Sequence, residues 1–589
     1  MNKKFLCAVL AVCVAFCAIQ TLVSADEDSV PATAWRDYAA ENFAGGTGTE
    51  SDPYKITNGA ELAKIAVDVN NNDYTKRTTY SGVYFRLESD IDLSAHRWNP
   101  IGVFTWYLGS ATTSNSFNGF LDGNDKKITG LIVDETTDKS SAGLFGNIRN
   151  SSKNFVAGAR DLTIENARVY FDVSGLEESN AGILAGFILI SEGSKCEFDN
   201  ISVSGRTEHA HANGSAMAGG MFGSVSRITV RNCKATDVEI SNVTNSGGFV
   251  GLDCGSTYEY CSATGKIDGA WALGGFVGES GSCIYQDPKG ASTFSHCTAA
   301  VNITAHDWRA GGFIGYAEYT EIQNCAAYGN IYNDVTGNEN WNDPNLRVGG
   351  FAGEASAAAI ENCHTVSRIT MESGNPPACG FMYSSSGEVG NCSYDIENNS
   401  GLSATQEGTE DDSIKGLKRK EVLSNICEDV LDGHIWSETF TVDKEPTCTE
   451  EGYESQHCIR CDKAGEVSML EKVPHEWNSE YTVDKKPTCT GKGEESIHCK
   501  NCDAKKESRE IEATGHTFKW VTDREPTETE TGLKHEECTV CGFKKEGVEI
   551  PKKNKPVGTS DVALTATAVT LVLASLAAAA VVVKKKQSL

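Results

Sequence analysis

Between about residues 140 and 400, apolar and polar residues alternate with period two, as in Val238-Glu-Ile240, Gly265-Lys-Ile267, Val301-Asn-Ile303 and Gly329-Asn-Ile331. Many apolar positions are β-branched and no helical period is visible, so short strands are predicted throughout. A glycine block punctuates them: Ala142-Gly-Leu-Phe-Gly146, Gly219-Gly-Met-Phe-Gly223, Gly247-Gly-Phe-Val-Gly251, Gly274-Gly-Phe-Val-Gly278, Gly311-Gly-Phe-Ile-Gly315 and Gly349-Gly-Phe-Ala-Gly353. Degenerate copies stand at 181–185 and 379–382, and the second-position glycines are 27 to 39 residues apart. A second phrase recurs between the blocks, as in Arg231-Asn-Cys-Lys-Ala235, Gln323-Asn-Cys-Ala-Ala327 and Glu361-Asn-Cys-His-Thr365. A unit this short cannot enclose a core of its own. It can bury its apolar residues only against the units before and after it, which describes a β-solenoid.

Residues 80–400 are therefore expected to form one continuous parallel coil. Phe145, Phe222, Phe249, Phe276, Phe313 and Phe351 should stack in one core column. Cys233, Cys261, Cys297, Cys325, Cys363 and Cys392 share one phase and should form an inward column. Stacked in register, they fit the disulfide torsion poorly and read first as free buried thiols. Cys254 and Cys283, in loops just after a glycine block, are the better disulfide candidates.

Upstream, Phe43-Ala-Gly-Gly-Thr-Gly-Thr-Glu-Ser-Asp-Pro-Tyr54 leads to an amphipathic helix near 60–70. Tyr84-Phe-Arg-Leu-Glu-Ser-Asp-Ile-Asp-Leu93 and Phe117-Asn-Gly-Phe-Leu-Asp-Gly-Asn124 follow. Together with the repeated blocks, this stretch resembles the GLUG-motif repeat proteins of Gram-positive and other bacterial surfaces. That resemblance implies a right-handed parallel β-helix whose first coil is capped by the helix. The expected fold class is all-β: this β-helix with its N-terminal cap, then small β-rich Cys-containing repeats, then one C-terminal transmembrane helix.

The two ends set the expected location. Residues 1–25 run from Lys3-Lys4 through an apolar stretch to Val23-Ser24-Ala25, the form of a secretory signal. Residues 562–583 are apolar or small throughout, span roughly 33 Å as a helix, and are followed by Lys584-Lys585-Lys586 as a cytoplasmic tail. Lys555-Pro-Val-Gly-Thr559 resembles a sortase sorting signal with Lys in first place and Gly558-Thr559 inverted. Thr559 is thus a candidate cleavage point that would bring in sortase and peptidoglycan; retention as a single-span protein is the alternative. The expected order is signal 1–25, cap 26–95, β-helix 96–400, linker 401–432, Cys repeats 433–550, linker 551–561, span 562–583 and tail 584–589. A net charge of −29 argues against a nucleic-acid partner.

Three units opening at His434-Ile-Trp436, His475-Glu-Trp477 and His516-Thr-Phe518 repeat every 41 residues. They resemble the tandem Cys-x-x-Cys repeats near the anchors of exported clostridial-type proteins. Copies one and two carry Cys448, Cys458, Cys461 and Cys489, Cys499, Cys502; copy three keeps Cys538 and Cys541 but has Glu528 in place of the first cysteine. Two cross-links suit this pattern: tetrahedral structural Zn on three cysteines and a histidine, or one disulfide per copy with a spare thiol. In the metal reading each of the first two copies closes its own site. The opening His434 or His475 is favoured as fourth ligand over the vicinal His457 or His498, and Glu528 offers an oxygen in copy three.

No catalytic constellation is found. His475-Glu and His535-Glu lack the second histidine of a metalloprotease helix, and in the best acidic cluster (Asp90, Asp92 and Asp122) Asp122 sits in a turn signature and Asp92 in a strand-end phrase that the GLUG resemblance accounts for. Trp271 and Trp308 each lie four residues before the second glycine of their blocks, while Trp341, His209 and His211 fall in longer inserts before the same corner. Such an edge suits an extracellular glycan or protein. The expected function is a cell-surface adhesin or binding module on a stalk. The alternatives are a polysaccharide-active enzyme on the same scaffold and a purely structural envelope protein.

Overall fold

The computed structural model describes residues 30–554 except 108–109, 136–140, 172–178, 210–215, 282–290, 335–346, 372–377, 407–412 and 432. The chain forms two compact units. One comprises residues up to Thr441 together with Ser455–Val467, and the other comprises Val442–Glu454 and the chain from Ser468.

The first unit is a parallel β-solenoid. Parallel pairing begins with Tyr54–Ile56 on Phe85–Leu87 and ends with Cys392–Asp395 on Ile414–Leu417, so the coil is longer than 80–400. One turn shows the plan. Val250–Cys254, Thr257–Glu259 and Ser262–Gly274 lie over Val277–Ser280, Ser292–Ser295, Thr298–Ala305 and Arg309–Gly311. The cap helix is Gly59–Val69. The Asn58 side chain accepts from the Glu61 N–H at 3.0 Å, and the apolar face (Leu62, Ala63, Ile65, Ala66, Val69) is buried.

The aromatic column differs from the expected one. Phe249, Phe276, Phe313, Phe351 and Phe381 stack with centroids 4.7–5.1 Å apart and planes within 6°, close to the spacing of adjacent strands. Phe145 and Phe222 belong to the next position along. Phe145 pairs with Ala185, and Phe222 with Val250, which leaves Leu144, Leu184 and Met221 where Phe249 stands in its coil. Phe222 meets Phe249 edge-on, at 5.9 Å and 64°. Both positions are buried because the chain bends at the glycine block, so two consecutive side chains turn inward. Glycine is required at that bend: a Cβ on Gly275 would lie 2.0 Å from the Gly312 carbonyl oxygen.

The Asn-Cys phrase has a backbone explanation. Asn232, Tyr260, His296, Asn324, Asn362 and Asn391 all have φ between 47° and 55°, the left-handed conformation that asparagine tolerates best among these residues. Their side chains form a ladder along the coil, with Asn391 donating to Asn362 at 2.8 Å and Asn362 to Asn324 at 3.1 Å. The following cysteine then points into the core. All six are buried and unbridged, and each thiol donates to the carbonyl two residues back, as from Cys233 to Arg231 at 3.1 Å. Cys254 is disulfide-bonded; Cys283 lies outside the described residues.

The far end is closed by a short helix, Arg419–Asn425, that widens into Ile426–Val430. Val422, Ile426 and Val430 pack on Ala326 and Val366, while the Asp429 carboxylate accepts from Nε2 of the buried His364 ring at 2.9 Å. Phe276→Ala should destabilise the solenoid by about 3–5 kcal/mol, because the ring is fully buried between two others. Denaturant unfolding measures this, and a change below about 1 kcal/mol would contradict the column.

Candidate metal centres

In the repeats that follow the solenoid, each copy is a small antiparallel sheet ending in a knuckle. In copy two, Thr482–Lys485, Gly493–His498 and Lys505–Ile511 form the sheet; in copy three, Phe518–Arg524, Gly532–Cys538 and Val548–Ile550 do. The knuckle turns directly after the middle strand. The Cys499 N–H donates to the Ala504 carbonyl at 2.8 Å, and the Cys538 N–H to that of Phe543 at 2.8 Å. A tight loop of this kind aims backbone N–H groups at sulfur. The Asn501 N–H on Cys499 pulls that thiol down to about 6, and those of Cys541 and Val540 pull Cys538 down to about 5.

Three groups of three cysteines and one histidine converge among the described residues: Cys427, His434, Cys458, Cys461; Cys448, His475, Cys499, Cys502; and Cys489, His516, Cys538, Cys541. Within each group all four ligand atoms lie within 4.8 Å of one another. The sulfur–sulfur approaches are 4.0 Å (Cys427–Cys458), 3.9 Å (Cys448–Cys499) and 3.8 Å (Cys489–Cys538). Each histidine Nδ1 stands 3.3 Å from the last cysteine of its group. A tetrahedral zinc with Zn–S bonds of about 2.3 Å separates its sulfurs by about 3.8 Å and sulfur from nitrogen by about 3.5 Å. A disulfide would need about 2.05 Å. These clusters can hold a metal ion.

The grouping overturns the within-copy expectation. Cys448 joins the histidine and knuckle of copy two, not Cys458 and Cys461, and Cys489 joins copy three. Their turns explain this. Thr447 and Glu450, or Thr488 and Gly491, hydrogen-bond across the cysteine and present it away from its own knuckle. The first centre is completed instead by Cys427, from the segment that closes the solenoid. Glu528 occupies the same turn in copy three, is exposed, and belongs to none of the three clusters. His434 and His475 stand at centres as expected, and His516 does so in copy three. His457 and His498 do not: they face carboxylates, His457 on Asp462 at 2.6 Å and His498 on Asp484 at 2.7 Å. Cys427 and His516 were legible in principle, because a cysteine missing from the last copy and an extra one before the first mark a repeat frame displaced by one ligand.

At the solenoid edge, Trp271 and Trp308 stand one coil apart, since Ala272 pairs with Arg309. Their rings meet at 4.8 Å and 83°, and Trp271 is 47% exposed. The Arg309 guanidinium lies 3.9 Å from the centre of Trp308 and 4.2 Å from that of Tyr316. His209 is buried edge-on against Phe171 and is no part of that surface. Trp341, His211 and Thr559 lie outside the described residues, as do the expected signal and span. No helix among the described residues is long and apolar enough to cross a membrane. Asp92 and Asp122 cap their own turns through the Ser94 and Asn124 N–H groups, both at 2.9 Å.

Residues 306–332 match the family described as the GLUG motif. The chain is 31% identical over 150 residues to a provisionally named Gly-rich membrane protein of Evansella cellulosilytica, covering 24% of this chain and 15% of that protein. It is 33% identical over 135 residues to halomucin of Haloquadratum walsbyi, covering 22% of this chain and 1% of that protein. The chain thus spans a small fraction of the length of either relative. Among solved structures, a provisionally named immunoglobulin A1 protease from Bacteroides ovatus covers 53% of this chain and 86% of its own at 20% identity and a TM-score of 0.37.

Alkylation of the denatured but unreduced chain should label all nine cysteines of the three clusters and the six of the solenoid column, and leave Cys254 blocked. Peptide mapping reads this directly, and a blocked Cys448, Cys499 or Cys502 would contradict the open clusters.

Proposed function

We propose that the chain is a cell-surface β-solenoid that binds an extracellular glycan at its loop edge. The Trp271–Trp308 pair carries this reading. Both tryptophans have left-handed backbone, φ 74° and 37°, a conformation bulky residues avoid unless the surroundings impose it. Trp271 leaves nearly half its surface in water, more than a packing role requires. An exposed indole braced by a second ring and an arginine presents a flat apolar face beside polar groups, which suits a sugar ring. Display at the surface is supported by the signal-like start, the apolar segment 562–583 and relatives named as a membrane protein and a halomucin. Asp92 and Asp122 accept from N–H groups of their own turns and Asp90 from the Lys127 N–H of the next coil, so binding is favoured over turnover.

The whole chain probed on a glycan array, with a host-protein array in parallel, tests the proposal. Trp271→Ala combined with Trp308→Ala should weaken the glycan signal more than about ten-fold while the melting temperature moves by less than about 2 °C. Parallel loss of binding and stability would make the pair a packing device. Signal on the protein array alone would replace the glycan with a protein partner.

A further inference from the structure

The repeats after the solenoid lack an apolar core. Among the described residues from Val442 onward, the buried hydrophobic ones are Cys448, Cys458, Cys461, Cys489, Ile497, Cys499 and Cys538, so all but one are cluster cysteines. The strand Trp436–Lys444 has no buried residue, and Val467, Met469, Val483 and Trp520 are exposed. A sheet of three short strands with no apolar face inside is unstable alone and needs a cross-link. The three clusters stand where that cross-link is required.

We propose that the chain carries three structural zinc ions, each clasping one repeat to the segment before it. Every centre takes its histidine and knuckle from one repeat and its remaining thiol from upstream: Cys427 for the first, Cys448 for the second, Cys489 for the third. Four protein donors close the coordination sphere, which marks a structural rather than a hydrolytic centre. Three sulfurs and an imidazole select a soft tetrahedral cation over calcium or magnesium. Binding releases the thiol protons and leaves a Zn(Cys)3(His) centre of net charge −1, with the three sulfurs as thiolates and the imidazole neutral. At the first centre the outer nitrogen of His434 lies 3.3 Å from Glu428, the outer-sphere carboxylate that orients such a ligand. The ion is thus shared between modules. In the third repeat the corresponding turn carries Glu528 instead of cysteine.

Metal analysis of the whole chain, purified without chelator, should find three zinc ions per molecule. Cys448→Ser should reduce this to two. Native-state alkylation of that variant should then expose Cys499 and Cys502 while Cys458 and Cys461 stay protected. His475→Ala should also leave two ions, whereas His498→Ala and Glu528→Ala should leave three. Exposure of Cys458 and Cys461 in Cys448→Ser would establish within-copy sites and overturn the proposal. So would three ions in Cys448→Ser, or no metal with a mass two hydrogens lighter per cysteine pair. Should Cys448→Ser fail to fold, stepwise chelation of the unaltered chain decides the matter. Cys448 should become reactive together with Cys499 and Cys502; reactivity in step with Cys458 and Cys461 refutes the shared centre.

Discussion

Phe276 shows the constraint under which the molecule is built. Within its own coil its ring meets Phe294 only edge-on, at 6.0 Å, and it is buried because Phe249 and Phe313 lie one strand spacing to either side. A repeat of some thirty residues has too little interior to exclude water from itself, so burial must be shared with neighbours. Each feature of the coil serves that sharing. Glycine at the bend lets backbones approach, left-handed asparagine turns the next residue inward, and the column thiols fill a narrow space as small apolar groups. Dispersion and burial repeat along the axis and fade only at the two ends. There, the helix Gly59–Val69 and the segment Arg419–Val430 cover what the last coils would expose.

The cysteine repeats obey the same constraint with different chemistry. Their strands are polar and short, and burial supplies almost nothing. What unites neighbours there is a set of converging thiols and imidazoles, one donor from upstream and three from downstream. The 41-residue period of the sequence is therefore not the period of the stabilised unit, because each cross-link straddles the boundary between copies. Copy one accordingly contributes to two centres: its His434 and knuckle to one, its Cys448 to the next.

The solenoid edge is where local preference is overruled. Tryptophan does not choose φ of 74°, and Trp271 holds it in a register shared with Trp308 one coil away. Stacking of identical corners multiplies whatever one corner displays, which is how a repetitive scaffold makes an extended surface from single residues.

Period-two alternation, the glycine blocks and the Asn-Cys phrase were enough to predict a β-solenoid with a buried thiol column, because each reports a local backbone requirement, while the helix that caps the first coil was implied by the resemblance to GLUG-motif repeats. The phase of the phenylalanines was not readable. Gly-Gly-Met-Phe-Gly and Gly-Gly-Phe-Val-Gly look alike as strings, and only pairing between coils shows that Phe222 lies opposite Val250 rather than Phe249. Within the expected linker 401–432, Ile414–Leu417 is a strand, captured by the open edge of Cys392–Asp395. The metal-ligand types likewise stood in the sequence, but their grouping did not. A cysteine on a turn can face either neighbour, and sequence spacing favours its own copy. The turn geometry around Thr447 and Thr488 sends it to the next one. Residue types and local conformations were thus determined by the sequence alone, whereas partnership between repeats was decided by tertiary structure, since it depends on directions in space that no linear spacing encodes.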